Sequence, residues 1–188
     1  MKSLKLAGFS LLAGAALAVG ADVTVLAQVR AAAEATIDAY GRIDVLVNNA
    51  GTMPLAFWAD HARAAEAWSR CIDVNIKGVM HGISAVYDHM IEQGRGHVVN
   101  VRSIYGNHAV PGSAIYTASK AAVNLLSDTL RQEAQGRIKV TVVRPSGVYG
   151  TGLGATVVNR RAMAGIVGKN YDAYREAAQG WLKGDLPE

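Results

Sequence analysis

The sequence has one cysteine, Cys71, and four prolines among its 188 residues. A single cysteine excludes an internal disulfide and a zinc site built from several thiolates. The scarcity of proline, with no internal repeat or low-complexity run, argues against long linkers and solenoid architectures. The five histidines lack the close spacing that metal ligands need, so no metal site is expected.

Charge is also limited. The basic residues are scattered, and Arg160–Arg161 is the one adjacent pair. A net charge of +4 spread in this way predicts no nucleic-acid-binding stripe. Hydrophobic residues make up 51% of the chain and charged residues 18%, which is enough apolar surface for a folded core. Length and composition together favour one globular domain.

The segment 1–21 differs in composition from the rest of the chain. Lys2 and Lys5 are its only charged residues, and they precede a stretch rich in Leu, Ala and Gly. A basic start followed by an apolar stretch is typical of a secretory signal. The stretch is short for a membrane-spanning helix, so no stable membrane span is expected.

Two other interpretations of this segment stay open. It is also compatible with an apolar strand and helix of the core. Alternatively, Gly8 and Gly14 are remnants of a dinucleotide-binding glycine turn. In that case Leu12 occupies the middle glycine position, where a side chain obstructs close approach of the backbone to a phosphate.

From residue 22 onward, helix-like and strand-like patterns alternate. Apolar residues at helical spacing predict helices, and short runs of apolar residues predict buried strands. We expect helices at 25–40, at about 60–93 with a break near 71–73, and at 114–135, and strands at 43–47, 97–101 and 138–143.

Short apolar strands separated by helices predict an α/β fold of three layers, a parallel sheet with helices on both faces. Ligands of such sheets bind beyond the carboxyl ends of the strands. The loops 48–54, 102–113 and 145–154 all follow strand ends. We therefore expect them to line one edge of the sheet together.

Tyr116 and Lys120 are four residues apart, which places a phenol and an ammonium on one face of a predicted helix. A nearby ammonium favours the phenolate and so lowers the pKa of the phenol. Taken alone, this spacing is also typical of an ordinary exposed pair. Ser103 lies at a strand end 13 residues before Tyr116, where its hydroxyl either hydrogen-bonds a substrate oxygen or caps a turn.

Two asparagine-containing segments accompany this pair. Asn48-Asn49-Ala50-Gly51 follows a strand end, and its small residues allow a flat ligand to approach the backbone. The same residues are also ordinary turn formers. Asn75 interrupts an apolar helical pattern, which predicts a local bend, a polar role or a satisfied core amide.

These residues together resemble the short-chain dehydrogenase/reductase family in order and in spacing. The similarity covers about residues 22–155, and the joint match is far more specific than any one motif. It rests on Asn48-Asn49-Ala50-Gly51, Asn75, Ser103, Tyr116-x-x-x-Lys120 and Pro145-Ser-Gly-Val148 with Thr151. The resemblance implies a Rossmann-type fold and hydride transfer between NAD or NADP and an alcohol or carbonyl substrate.

The resemblance also assigns roles to individual residues. Tyr116 is the general acid/base, Lys120 lowers its pKa and holds the nicotinamide ribose, and Ser103 orients the substrate oxygen. Asn75 holds a water of the proton relay at a bend in its helix. The cofactor contacts carried over are Asp22 and Val23 at the adenine, Asn48, Ala50 and Gly51 in the cleft, Tyr116 and Lys120 at the ribose, and Pro145, Gly147, Val148 and Thr151 over the nicotinamide.

The sequence departs from the family pattern in four places. Arg102 stands where the family usually has a small residue, and its guanidinium either perturbs the site or points to solvent. Ser146 stands where glycine usually follows the proline. Ahead of Asp22, at least one βαβ unit with the glycine turn is expected to be compressed or absent, so the domain is expected to be N-terminally incomplete. The segment 185–188 resembles the approach to a last helix and strand that do not follow.

Two functions follow as hypotheses. The first is an NAD(P)-dependent oxidoreductase acting on a secondary alcohol, with small hydroxy acids as one candidate class, since the loop 145–154 loosely resembles that of such enzymes. The second is a truncated, catalytically silent family member that acts as a binding or interaction protein. The resemblance implies a homo-oligomer formed through the helices at about 75–93 and 114–135. We expect a cytoplasmic protein, with export as the alternative.

Overall fold

A computed structural model of the chain describes residues 5–9, 16–148 and 151–163, with the backbone alone for 5–9. Two strands, one helix and a third strand come first, followed by a helical stretch that includes a π-helical turn. The elements are β1 (Lys5–Phe9), β2 (Ala16–Gly20), α1 (Leu26–Tyr40), β3 (Val45–Asn48), α2 (His61–Ile72), the π-helical turn (Asp73–Lys77), α3 (Gly78–Glu92), β4 (Gly96–Val101), α4 (Ala114–Glu133) and β5 (Ile138–Val143).

The strands β3, β4 and β5 form a parallel sheet in that order. The register places Leu46 beside Val98, and Val98 beside Val140. Each connection between neighbouring strands contains helix, as parallel pairing requires. The predicted Rossmann-like parallel sheet is confirmed, and the carboxyl ends of its strands meet at one edge.

One face of this sheet carries the main core. Leu46, Val98 and Ile138 pack there with buried side chains of α1, α3 and α4. On the opposite face, Val45 and Val47 are about half exposed, at 53% and 51%. The described helices therefore cover one of the two faces on which helices were expected. Alternation along a strand explains this, since successive side chains point to opposite faces.

Helix α1 begins one residue later than its apolar pattern predicts and ends at the predicted glycine. Gly41 has φ of 75° and donates its N–H to the carbonyl of Ile37. A left-handed residue after a helix is the usual site for glycine, which has no Cβ to clash. Val29, Ala32 and Ala33 form the buried stripe of this helix.

The predicted break in the long helical stretch lies slightly further along the chain than expected. The π-helical turn spans Asp73–Lys77, and α3 continues from Gly78 without a loop. A π-helical turn adds one residue to the hydrogen-bonded ring and often marks a functional position. It carries Asn75, whose side chain is completely buried.

Near the N-terminus, β1 and β2 pair antiparallel in a separate two-stranded sheet. Gly8 lies opposite Leu17 within this pairing, so it occupies a strand rather than a turn. The other members of the possible glycine turn, Leu12 and Gly14, lie outside the described residues, as does the segment 185–188. Within the described ranges, no helix has the length and apolar character needed to cross a membrane.

The contact between α3 and β3 leads to a testable prediction. A Cβ at Gly82 would collide with the Asn48 amide, which donates to Asn100 Oδ1 at 2.8 Å. Gly82→Ala should therefore lower the free energy of unfolding by about 1–3 kcal/mol, as overpacking does. Urea denaturation measures this, with Gly154→Ala as the control, since nothing lies within 4 Å of a Cβ at Gly154. A stabilised Gly82→Ala variant, as helix propensity alone predicts, would contradict this packing.

Candidate active site

The predicted polar residues meet at the carboxyl edge of the sheet. The loop after β3 supplies Gly51, the residue after the end of β4 leads into Ser103, and the first turns of α4 supply Tyr116 and Lys120. The hydrogen bonds of Arg102 and Ile104 to Val143 O and Pro145 O extend the pairing of β4 with the chain after β5. Backbone hydrogen bonds therefore continue past the ends of β4 and β5, where these side chains converge.

Ser103 and Tyr116 are in contact. Ser103 has an extended backbone and caps a short 3-10 turn at Ile104–Gly106, where its Oγ accepts the N–H of Tyr105 at 3.2 Å. The hydroxyl of Ser103 is also hydrogen-bonded to the phenol of Tyr116. Both side chains are buried, with Ser103 5% and Tyr116 4% exposed. Ser103 thus caps a turn, as one of its two interpretations predicted, and it also touches the phenol of Tyr116.

Lys120 lies one helical turn after Tyr116 and is equally buried. Its Nζ donates to the carbonyl of Val101 at 3.0 Å and lies 6.0 Å from the centroid of the Tyr116 ring. Burial of the ammonium lowers the pKa of Lys120 to about 8. No described carboxylate forms an ion pair with it. An ammonium has three donors, so this cation keeps hydrogen-bonding capacity beyond Val101.

The titration of Tyr116 differs from the expectation that a nearby ammonium lowers its pKa. Burial of the phenol raises the pKa of Tyr116, and the hydrogen bond from Ser103 opposes that rise. Desolvation penalises the charged form of both groups, so the phenol and the ammonium are each pushed toward neutrality. In this structure burial is the largest influence on the pKa of Tyr116 and on that of Lys120.

Asn75 connects the helical bend to the rest of the site. Its Oδ1 accepts the N–H of Thr52 at 2.9 Å, and its Nδ2 donates to Thr52 O and to Ser119 Oγ, both at 3.0 Å. Ser119 in turn donates to the carbonyl of Tyr116 at 2.7 Å. The predicted bend and polar environment of Asn75 are present. Its amide ties the loop after β3 to the helix that carries the phenol.

The first group of predicted cofactor residues lies beside these side chains. A Cβ at Gly51 would stand 3.5 Å from Lys120 Nζ and 3.6 Å from Asn75 Oδ1, so this position faces the ammonium directly. Val23 and Ala50 pack in one apolar cluster. Asn48 faces the other way, since it donates to Asn100 in the sheet. Its described role is therefore to brace neighbouring strands.

Asp22 takes part in a local turn. Its Oδ1 accepts the N–H of Thr24 at 2.9 Å and the hydroxyl of Thr24 at 2.8 Å. The backbone N–H of Thr24, followed by its hydroxyl, holds the pKa of Asp22 below its usual value. The neighbouring Val23 is fixed by its carbonyl, which lies 2.8 Å from Nδ1 of His81. This places the Asp22–Val23 pair against α3.

The segment after β5 is only partly gathered into the site. Pro145 accepts the N–H of Ile104 at 3.2 Å and so touches the turn that Ser103 begins. Gly147, Val148 and Thr151 are exposed, and the hydroxyl of Thr151 donates to Val148 O at 3.5 Å. The structure thus brings Pro145 to the turn of Ser103 and leaves the other three on the surface.

Sequence reasoning missed two contributors and left the direction of a third, Arg102, open. Thr52 and Ser119 supply the partners of Asn75, and Ser or Thr in these places carries no distinctive signal. Arg102 is only 4% exposed and points under α4. Its position two residues beyond the inward-facing Asn100 could have indicated this, because side chains alternate along a strand.

Apolar side chains surround the phenol on its outer side. Leu55, Tyr116 and Ala162 are buried together in one cluster. The segment 151–163 is fastened there by two hydrogen bonds, from Met53 N to Thr156 Oγ1 at 2.7 Å and from Asn159 N to Leu55 O at 2.8 Å. The segment 151–163 therefore covers the sheet edge beside Tyr116.

Comparison with known proteins identifies the family of the chain. The sequence matches the family described as "short chain dehydrogenase" over residues 7–162. An uncharacterized oxidoreductase of Staphylococcus saprophyticus is 44% identical over 112 residues, which are 58% of this chain and 45% of the relative. One of Listeria monocytogenes is 35% identical over 133 residues, or 69% and 52% of the two chains. The chain spans about half the length of the curated relatives it matches.

Solved structures show the same similarity. A gluconate 5-dehydrogenase of Burkholderia cenocepacia, in complex with NADP and tartrate, has 35% identity and a TM-score of 0.59 over 64% of this chain and 46% of that one. A serine dehydrogenase of Escherichia coli has 33% identity and a TM-score of 0.62 over 66% and 58%. A NAD+-bound xylitol dehydrogenase has 31% identity and a TM-score of 0.62 over 66% and 48%. With its parallel sheet and the family match over most of its length, the chain belongs to the short-chain dehydrogenase family.

Proposed function

We propose that this chain is an oxidoreductase that interconverts a secondary alcohol and its carbonyl compound by hydride transfer with NAD or NADP. The observation that carries the proposal is the buried contact of Ser103 with Tyr116, one helical turn from the buried ammonium of Lys120. Burying three polar groups at a strand end costs free energy. Such an arrangement is expected where a reaction uses it.

The residues present fit the nicotinamide–ribose end of such a cofactor. Lys120 uses one donor on Val101 O and has capacity left for ribose hydroxyls. Gly51 leaves open the space beside that ammonium, because a Cβ there would already lie within 3.5 Å of it. Val23 and Ala50 supply an apolar wall. When bound, the nicotinamide would supply the hydride chemistry.

In the proposed mechanism the chain's own residues handle the proton. The Tyr116 phenol donates a proton to the substrate oxygen during reduction, and the phenolate accepts it during oxidation. Ser103 holds that oxygen beside the phenol, and Lys120 stabilises the phenolate electrostatically. Oxidation needs the phenolate and should be favoured as pH rises. Reduction needs the phenol and should be favoured at lower pH.

Asn75 has a supporting part in this proposal. Its amide already bonds Thr52 and Ser119. It therefore fixes the distance between the loop that carries Gly51 and the helix that carries Tyr116. A water held near this amide would connect the proton path to solvent, as the family resemblance implies.

A first experiment tests cofactor and substrate class together. The purified chain is titrated with NADH and with NADPH while nicotinamide fluorescence is followed, and turnover is then measured with a simple secondary alcohol, xylitol and gluconate. Turnover of the alcohols is measured with NAD+ or NADP+ as the hydride acceptor. Binding of one cofactor and turnover of at least one alcohol are expected. Preference for gluconate would support the narrower hypothesis of a hydroxy acid substrate. If neither cofactor binds at millimolar concentration, the silent binding protein becomes the better explanation.

A second prediction isolates the phenol. Tyr116→Phe removes the hydroxyl that transfers the proton and should lower kcat by about 10²- to 10⁴-fold, the usual contribution of acid–base catalysis. Binding of the reduced cofactor should change far less than kcat, because only the Tyr116 contact to the ribose is lost while Lys120 and Gly51 remain. Tyr87→Phe is the matched control, since Tyr87 packs against the main core and should retain kcat. Near-normal turnover by Tyr116→Phe would rule out the proposed role of Tyr116.

A third prediction uses the buried ammonium. Burial lowers the pKa of Lys120 from 10.5 to about 8, a difference worth roughly 3 kcal/mol. Below pH 8 both states carry the proton and the penalty is full. Between pH 8 and 10.5 the unfolded chain binds more protons, so stability rises with pH. Lys120→Met should therefore unfold at a higher temperature than the wild type at pH 7, and this advantage should shrink toward pH 10.5.

Thermal unfolding at a series of pH values measures this difference. Lys139→Met replaces an exposed lysine of β5 and should show no comparable dependence on pH. A Lys120→Met variant that is less stable than the wild type at pH 7, by a constant margin at every pH, would show that the ammonium is not penalised by burial.

A further inference from the structure

Arg102 is a buried cation whose contacts join two parts of the site. It is the first residue after β4 and lies two positions beyond Asn100, which donates to Ser127 of α4 at 2.8 Å. Alternation along the strand directs both side chains under the same helix. The guanidinium is therefore placed beside the turn of α4 that carries the ammonium of Lys120.

The guanidinium donates to backbone carbonyls on both sides. Its Nε donates to the carbonyl of Lys120 at 3.0 Å, and its Nη2 donates to the carbonyl of Gly106. Gly106 ends the 3-10 turn that Ser103 caps. One side chain thus holds the turn of Ser103 against the peptide of Lys120.

Gly106 shows how closely these parts approach. A Cβ at Gly106 would lie 2.8 Å from Nε and Nη2 of Arg102, and 2.8 Å from the carbonyl carbon of Lys120. Only a hydrogen fits between the guanidinium and the helix backbone. The turn, the guanidinium and the helix are therefore in direct contact, with no space for an added methyl group at Gly106.

Burying the guanidinium of Arg102 lowers the free energy of unfolding. Within the described ranges no ion pair involves Arg102, and its Nη1 is buried without a hydrogen-bond partner. Burial, followed by the nearby cation of Arg144, lowers the pKa of Arg102. A buried cation without an ion-pairing carboxylate costs stability that an apolar residue of similar size would not. Positions that break a folding rule in this way are often functional.

We propose that Arg102 is a positioning residue, whose guanidinium clamps the Ser103–Gly106 turn to the Lys120 peptide and so aligns the Ser103 hydroxyl with the Tyr116 phenol. This inference rests on the proposed function for its catalytic consequence. An arginine suits the task because its planar fork reaches two carbonyls at once, whereas a lysine ammonium reaches one in this geometry.

The test compares the effect of Arg102→Met in the wild type with its effect in a Ser103→Ala background. Arg102→Met should lower kcat by about 10- to 100-fold, as small misplacements of catalytic groups do, with little change in the KM of the cofactor. In the Ser103→Ala background the same change should cost less than about 3-fold, because the group it aligns is gone. An equal loss in both backgrounds, or no loss in either, would overturn the proposal.

A second readout does not need turnover. The phenol of Tyr116 is titrated by its ultraviolet difference spectrum, with Tyr116→Phe as the blank. Since the Ser103 hydrogen bond lowers the pKa of Tyr116, losing the alignment should raise the titration midpoint in Arg102→Met and in Arg102→Lys. A midpoint that rises in Arg102→Met but not in Arg102→Lys would show that Arg102 acts by charge alone and would overturn the positioning role.

Controls separate the two proposals. Arg144→Met removes an exposed arginine at the same edge and should leave both kcat and the titration unchanged. If Arg102→Met does not fold by circular dichroism, Arg102→Lys takes its place in both measurements. A wild type without turnover would contradict the proposed function, while the phenol titration would still decide the role of Arg102.

Discussion

The side-chain amide of Asn75 is the interaction on which the candidate site depends. It bonds the N–H and the carbonyl of Thr52 in the loop after β3, and the hydroxyl of Ser119 in α4. Asn75 can reach both because it lies in a π-helical turn, which widens the helix by one residue locally. An ordinary helix through the same residues would rotate the side chains that follow. The bend therefore fixes the relation between the loop with Gly51 and the helix with Tyr116.

Burial imposes the second constraint. Ser103, Tyr116 and Lys120 are each no more than 5% exposed, so every polar atom among them needs a partner. The phenol finds the Ser103 hydroxyl and the ammonium finds Val101 O. Burial raises the pKa of Tyr116 and lowers that of Lys120, so both groups resist charge in this structure. A ligand that accepts from the ammonium would favour its charged form and, through it, the phenolate. The ammonium of Lys120 has donors left for a ligand that supplies hydrogen-bond acceptors.

Much of this could be predicted from the sequence, for physical reasons. The strands β4 and β5 are short apolar runs bounded by turn residues, and their observed bounds agree with the predicted ones to within one residue. The convergence of Ser103 with Tyr116 and Lys120 followed from the rule that parallel strands end at one edge. Gly41 was recognisable as a cap because only a left-handed residue closes a helix there.

Other features depended on tertiary context. In sequence Val45 and Val47 are as apolar as Leu46, so nothing local shows that one side of the strand is exposed and the other buried. The sign of the Tyr116 pKa shift depends on how deeply the phenol is buried, which no spacing reveals. Arg102 could equally have pointed to solvent, since burying a charge contradicts the general preference of arginine.

The polar groups of the candidate site are held mainly by hydrogen bonds among elements within residues 45–143. Ser103, Tyr116, Lys120 and Asn75 are held by β3, β4, β5, the π-helical turn and α4, and their hydrogen bonds run among these elements. The antiparallel pair β1–β2 supplies none of the described bonds to them. Within the described residues, the alignment of these polar groups is therefore separate from the pairing of β1 with β2. The alignment depends on hydrogen bonds from buried side chains to backbone carbonyls. At this edge the guanidinium of Arg102 donates to Lys120 O, and the ammonium of Lys120 donates to Val101 O.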